Sequence, residues 1–78
     1  MEVDIFAVYK NSREEAKYIS ETSEILYNGI LYKTPTAAAS AMVVKNGGGK
    51  HVTINGWKFW RYVDENGAPK YLSDMRQN

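Results

Sequence analysis

The stretch Glu24-Ile25-Leu26-Tyr27-Asn28-Gly29-Ile30-Leu31-Tyr32-Lys33, running straight into Thr34-Pro35-Thr36-Ala37-Ala38-Ala39, decides the fold. Asn28-Gly29 sits between two short apolar runs. Both residues accept positive φ at low cost, which makes the pair the strongest short-range hairpin signal. It predicts strands over 24–27 and 30–33. Thr34 then suits a helix N-cap, and Pro35 suits the first turn, where its missing N–H is not needed. Ala37, Ala38, Ala39, Ala41 and Met42 are good helix formers, and the helix is expected to end near Val44 or Lys45. Small side chains let such a helix lie close against a sheet.

Upstream, Val3 to Lys10 alternates β-branched and aromatic residues as a strand does. Asn11-Ser12 breaks it. Residues 12–19 fit two readings. Ser12-Arg13-Glu14-Glu15 matches the S-x-x-E capping box of a helix, while Ala16 and Tyr18 also share one face of a strand. Glu21-Thr22-Ser23 reads as a turn.

Downstream, Asn46-Gly47-Gly48-Gly49-Lys50 is a glycine-rich basic loop. It fails the phosphate-binding Walker pattern, because Val44 and His51 stand where a Gly and a Ser or Thr are required. Val52 to Ile54 is a short extended stretch and Asn55-Gly56 a second turn. Trp57 to Val63 reads as a strand, with Trp57, Phe59, Arg61 and Val63 on one face and Lys58, Trp60 and Tyr62 on the other. Trp57 and Phe59 are then core residues; Trp60 fits either core or surface, and if one face is open it is the one with Lys58, Trp60 and Tyr62. Asp64-Glu65-Asn66-Gly67 is a third turn. Ala68 to Leu72 returns as a strand, at an edge because of Pro69, and Ser73 suits the cap of a last short helical turn through Arg76. The expected fold is α+β: a small antiparallel sheet of hairpins, one main helix packed on it, and a short C-terminal helical turn, in a single domain over 1–78.

Composition agrees with a small globular chain. The 78 residues are 44% hydrophobic and 24% charged, unlike a disordered charged tail. Net charge is only +1, but it is divided. Residues 1–32 hold three basic against six acidic side chains, and residues 33–78 hold seven against three. No acid occurs between Lys33 and Val63. This asymmetry points to a polyanionic partner, unless folding interleaves the halves. There is no cysteine, which excludes disulfides and Cys-based zinc sites and favours a reducing compartment. No segment has the run of about 20 apolar residues that spans a bilayer, and the acidic start lacks the basic region of a signal peptide. A cytoplasmic location and no membrane association are expected.

No catalytic constellation assembles. His51 is the only histidine and has no sequence-adjacent acid to orient it. The serines and threonines lack an activating base, and no carboxylates are spaced for a metal. Neither an enzyme nor a cofactor is expected.

Three pieces carry a family resemblance: Tyr27-Asn28-Gly29-Ile30-Leu31-Tyr32, Thr34-Pro35-Thr36-Ala37-Ala38 and Asn55-Gly56-Trp57-Lys58-Phe59-Trp60. In this order the chain resembles the RAMA domain, a module found with restriction enzymes and adenine methylases. The resemblance covers about residues 24–76. It departs at Thr34, where the family more often has Ser, and in a longer, glycine-richer loop over Lys45–Thr53. Because the family has strands over the region of 4–23, it moves the reading of 12–19 towards strand. It implies a non-catalytic module that binds DNA, including duplexes with modified bases such as N6-methyladenine. The alternative is a protein-interaction adaptor for a restriction or methylase partner.

The candidate DNA-binding residues are Lys33, Thr34, Thr36, Lys50, Asn55, Lys58, Trp60 and Arg61. The helix start at Thr34–Thr36 offers backbone N–H groups and hydroxyls to a phosphate. Lys33, Lys45, Lys50, Lys58 and Arg61 supply charge to the DNA backbone. Asn55 has the groups to pair with an adenine edge, and Trp57 or Trp60 those to stack on a base. Each has a plainer reading: a helix start, solvated lysines, a turn at Asn55-Gly56, and tryptophans in the core.

Overall fold

A computed structural model describes residues 1–49 and 54–75. The first 32 residues form two hairpins in series. Strand β1 (Glu2–Tyr9) pairs with β2 (Ser12–Ile19) over eight residues, from Glu2 opposite Ile19 to Tyr9 opposite Ser12. Strand β3 (Glu24–Tyr27) pairs with β2, and with β4 (Ile30–Tyr32) through Asn28-Gly29. Both turn residues take positive φ, 53° and 78°, as a tight two-residue hairpin requires. Residues 12–19 are therefore strand. The local capping box loses to tertiary burial: Ala16 and Tyr18 enter the core, and β1 satisfies the strand's backbone.

Helix α1 (Pro35–Lys45) follows as expected. Thr34 Oγ1 accepts the Ala37 N–H at 3.1 Å, and Pro35 occupies the first turn. Its buried residues are Pro35, Ala38, Ala39, Met42 and Val43. They repeat at i, i+3, i+4, i+7 and i+8, the stripe of a helix with one face on a core. A short helix, α2 (Gly56–Phe59), comes next, then β5 (Arg61–Val63), β6 (Pro69–Tyr71) and a 3-10 turn over Leu72–Met75. The sheet is six-stranded and antiparallel, in the order β4-β3-β2-β1-β5-β6. Pro69 lies on an edge strand, where its missing N–H costs nothing. In the β5–β6 turn Asp64 Oδ1 accepts the Asn66 and Ala68 N–H groups, both at 2.9 Å, which hold its carboxyl below the usual range.

Three expectations need correction. Residues 57–63 do not form one strand: 56–59 are helical and only 61–63 pair as strand. Asn55 works as a helix N-cap rather than as part of a separate turn, its Oδ1 accepting the Trp57 N–H. The last helical turn starts at Leu72, so Ser73 lies inside it instead of capping it, and Arg76 lies outside the described residues. The stretch expected over Val52–Ile54 lies outside the described residues except for Ile54, which is in no strand.

α1 covers one face of the sheet. Ile5, Ala7, Ala16, Tyr18, Ile25 and Tyr27 from the strands meet Ala38, Ala39 and Met42 from α1, with Trp60 and Leu72 closing the group. Trp60 is the largest fully buried side chain. No helix among the described residues is long and apolar enough to cross a membrane.

Candidate nucleic-acid interface

The helix start and the Asn55–Trp60 segment meet at one junction. Thr36 Oγ1 accepts the Gly56 N–H at 3.1 Å. Trp60 Nε1 donates to the Pro35 carbonyl, also at 3.1 Å. Gly56 lies so close to the Pro35–Thr36 peptide that a Cβ there would overlap its backbone atoms. Only glycine allows this approach. The two sequence motifs are thus two halves of one structural joint.

Lys33, Thr34, Thr36, Asn55 and Lys58 are exposed around that joint. Thr34 and Thr36 each use a hydroxyl lone pair inward, on Ala37 N–H and Gly56 N–H. Each keeps its own O–H proton to donate outward. Asn55 commits Oδ1 to the Trp57 N–H and presents its Nδ2 donors. Lys33 and Lys58 form no ion pair among the described residues. The joint therefore displays two ammonium groups, two hydroxyl donors and an amide donor. The 3-10 turn also touches α2; its exposed Asp74 lines a separate hollow with Arg61, Pro69, Lys70 and Tyr71.

Several expected contacts are displaced. Trp60 cannot stack on a base: it is 0% exposed, and its indole N–H is taken by Pro35. The α2 turn rotates it into the core, where a continuous strand would have left it beside Lys58. Trp57 and Phe59, expected to be core, are half-buried instead. The Trp57 ring meets Tyr18 edge-on at 5.9 Å, and Phe59 meets Trp60 edge-on at 5.5 Å. Arg61 leaves the group as well. It pairs in register with Phe6 on the sheet face away from α1 and stacks over Tyr71 at 5.1 Å. The backbone phosphate site at the helix start is mostly filled by the protein itself. Pro35 has no N–H, Ala37 N–H goes to Thr34 Oγ1, Ala38 N–H to Thr34 O, and Gly56 packs on the intervening peptide. Lys50 and His51 lie outside the described residues.

Lys45 is engaged at the other end of α1. Its Nζ donates to Glu14 Oε1 at 2.7 Å, and Asn46 Nδ2 donates to Glu14 Oε2 at 2.7 Å and to Met42 O at 2.9 Å. The Lys45 ammonium and then the Asn46 amide hold the Glu14 carboxyl below its ordinary range, and Glu14 in turn raises Lys45. Burial, and then the nearby Glu14 carboxylate, raise Tyr27, whose buried hydroxyl has no hydrogen-bond partner of good geometry. This strap ties the helix end to β2. Its partners are 31 and 32 residues apart, and no local sequence signal announces it.

No group of three or more His, Asp or Glu side chains is placed to hold a metal ion among the described residues. No family model, curated protein or solved structure matches the chain.

Proposed function

We propose that this chain is a non-catalytic DNA-binding module that meets the phosphate backbone of a duplex through the α1–α2 joint. One observation carries the reading: the hydroxyls of Thr34 and Thr36 and the amide oxygen of Asn55 each accept a hydrogen bond within the joint, and their donor groups remain beside Lys33 and Lys58. Phosphate oxygens only accept, so a donor surface with unpaired ammoniums complements them. The absence of acid between Lys33 and Val63 in the sequence supports the same polarity.

The RAMA resemblance supports a finer reading, a preference for modified DNA such as N6-methyladenine duplexes. The buried Trp60 takes no part in it. Asn55 contributes donors rather than a two-point adenine contact, because its Oδ1 caps α2. Amide NMR titration of the labelled chain with two short duplexes, identical but for one N6-methyladenine, tests both levels. Shifts clustered at Lys33–Ala37 and Asn55–Lys58 support DNA docking at the joint, and larger shifts with the methylated duplex support the preference. Absence of shifts there at low salt refutes the docking.

A further inference from the structure

The sheet face turned away from α1 has no covering layer among the described residues, and it carries an ordered pattern. The registers set Leu31 beside Leu26, Leu26 beside Lys17, and Lys17 beside Asp4. The β1–β5 register, Phe6 opposite Arg61, continues to place Val63 beside Asp4, and Val63 pairs with Pro69. One row across all six strands therefore reads Leu31, Leu26, Lys17, Asp4, Val63, Pro69. That is apolar, apolar, cation, anion, apolar, apolar. The flanks are open to solvent, with Leu26 at 38%, Leu31 at 51% and Val63 at 54% exposure. In the next row Phe6 lies under the Arg13 guanidinium at 4.5 Å, beside a hollow of about 310 Å³ lined by Asp4, Phe6, Arg13, Glu15 and Val63.

We propose that this face docks a second copy of the same chain about a two-fold axis lying in the interface along the β1–β2 boundary. A half turn about that axis sets every position of the row opposite its mirror position. Lys17 then faces Asp4 of the second copy, Leu26 faces Val63, and Leu31 faces Pro69. The row is self-complementary: the charges change sign across the axis, and the apolar flanks meet apolar flanks. Two cations or two anions at the centre would repel their own copies. Exposed apolar groups gathered on one face mark an interaction surface, and a two-fold dimer requires such a self-complementary patch. At about 3.3 Å per residue and 4.8 Å between strands, the six strands present a face of roughly 500 Å², the scale of a weak, concentration-dependent interface. Two facing sheets at about 30° make an ordinary β-sandwich. The α1–α2 joint lies on the other side of the sheet, so the proposal stands independently of DNA binding.

Sedimentation velocity on the full chain, from micromolar to millimolar concentration, tests this. The wild type is expected to move from the 8.9 kDa monomer towards twice that mass. Asp4→Lys and Lys17→Asp each place like charges across the axis and are expected to weaken self-association by at least about tenfold. An equimolar mixture of the two variants is expected to dimerise again, because each supplies the charge the other lacks. A role confined to the Lys17–Asp4 pair within one chain gives no such rescue. Leu26→Glu and Val63→Glu, checked for fold by circular dichroism, are expected to be monomeric. A wild type that stays monomeric throughout overturns the proposal, as does a wild-type dimer that the folded variants leave unchanged or a mixture that stays monomeric.

Discussion

The indole Nε1 of Trp60 donates to the carbonyl oxygen of Pro35 across 25 residues of sequence, at 3.1 Å and out of contact with water. This bond fastens the segment after α2 to the first turn of α1. It joins the two runs that carry the DNA-binding reading, Lys33–Thr36 and Asn55–Lys58. Trp60→Phe keeps most of the apolar area and removes the donor. It is expected to lower stability by about 1–3 kcal/mol, the typical result of removing one partner of a buried hydrogen bond. Urea unfolding followed by fluorescence of the remaining Trp57 measures it. An unchanged midpoint contradicts this role.

Gly56→Ala is expected to be more damaging than an exposed Gly→Ala change elsewhere. The new Cβ meets the backbone of Pro35 and Thr36, which cannot rotate away. Overpacking of this kind costs about 1–3 kcal/mol and sometimes more. Gly29→Ala provides a comparison: no atom obstructs a Cβ there, and only the positive φ of 78° opposes it. Thermal melts of the two variants are expected to show the larger loss at position 56.

Arg61→Gln is expected to leave DNA affinity within about twofold of the wild type, because Arg61 stacks on Tyr71 on the far face of the sheet and its charge is screened. Lys58→Gln is expected to weaken binding at low salt without changing stability. Fluorescence anisotropy with a labelled duplex compares them. Equal losses from both variants would place the DNA on the wrong face.

The Glu14 strap makes stability depend on pH. The Lys45 ammonium and the Asn46 amide favour the ionised carboxyl, so its folded value lies below its unfolded value. Its contribution is therefore full above the ordinary value of about 4.3 and is lost as pH falls through the lower, folded value. Glu14→Gln is expected to be less stable than the wild type at neutral pH, with the gap closing in acid. A gap that widens in acid would contradict the assignment.

Much of this fold is legible in short-range signals. Asn28-Gly29, Thr34-Pro35 and Asp64–Gly67 each declare a turn or cap through their own backbone chemistry, and each forms where its residues predict. Where local signals are ambiguous or mislead, distant partners decide. Ser12–Glu15 carries a helix signal and becomes strand because β1 pairs with it. Trp57–Trp60 alternates like a strand and becomes a helical turn because Asn55 caps it and Gly56 seats on Pro35–Thr36. That single turn buries Trp60 completely and leaves Trp57 half-buried. At the candidate site, Lys33, Thr34, Thr36, Asn55 and Lys58 lie around the α1–α2 joint, an arrangement that no local signal announces. Arg61 and Trp60 leave the group because α2 displaces the strand register on which their placement depended.

The salt dependence of duplex affinity tests the central claim most directly. If the α1–α2 joint holds phosphates with Lys33 and Lys58, log affinity falls linearly with log salt, and the Lys33→Gln, Lys58→Gln double variant lowers the slope by about two units. Thermal melts verify that the double variant keeps its fold. A wild type that binds duplex DNA with a slope unchanged by the double substitution, or that does not bind at low salt, contradicts the account.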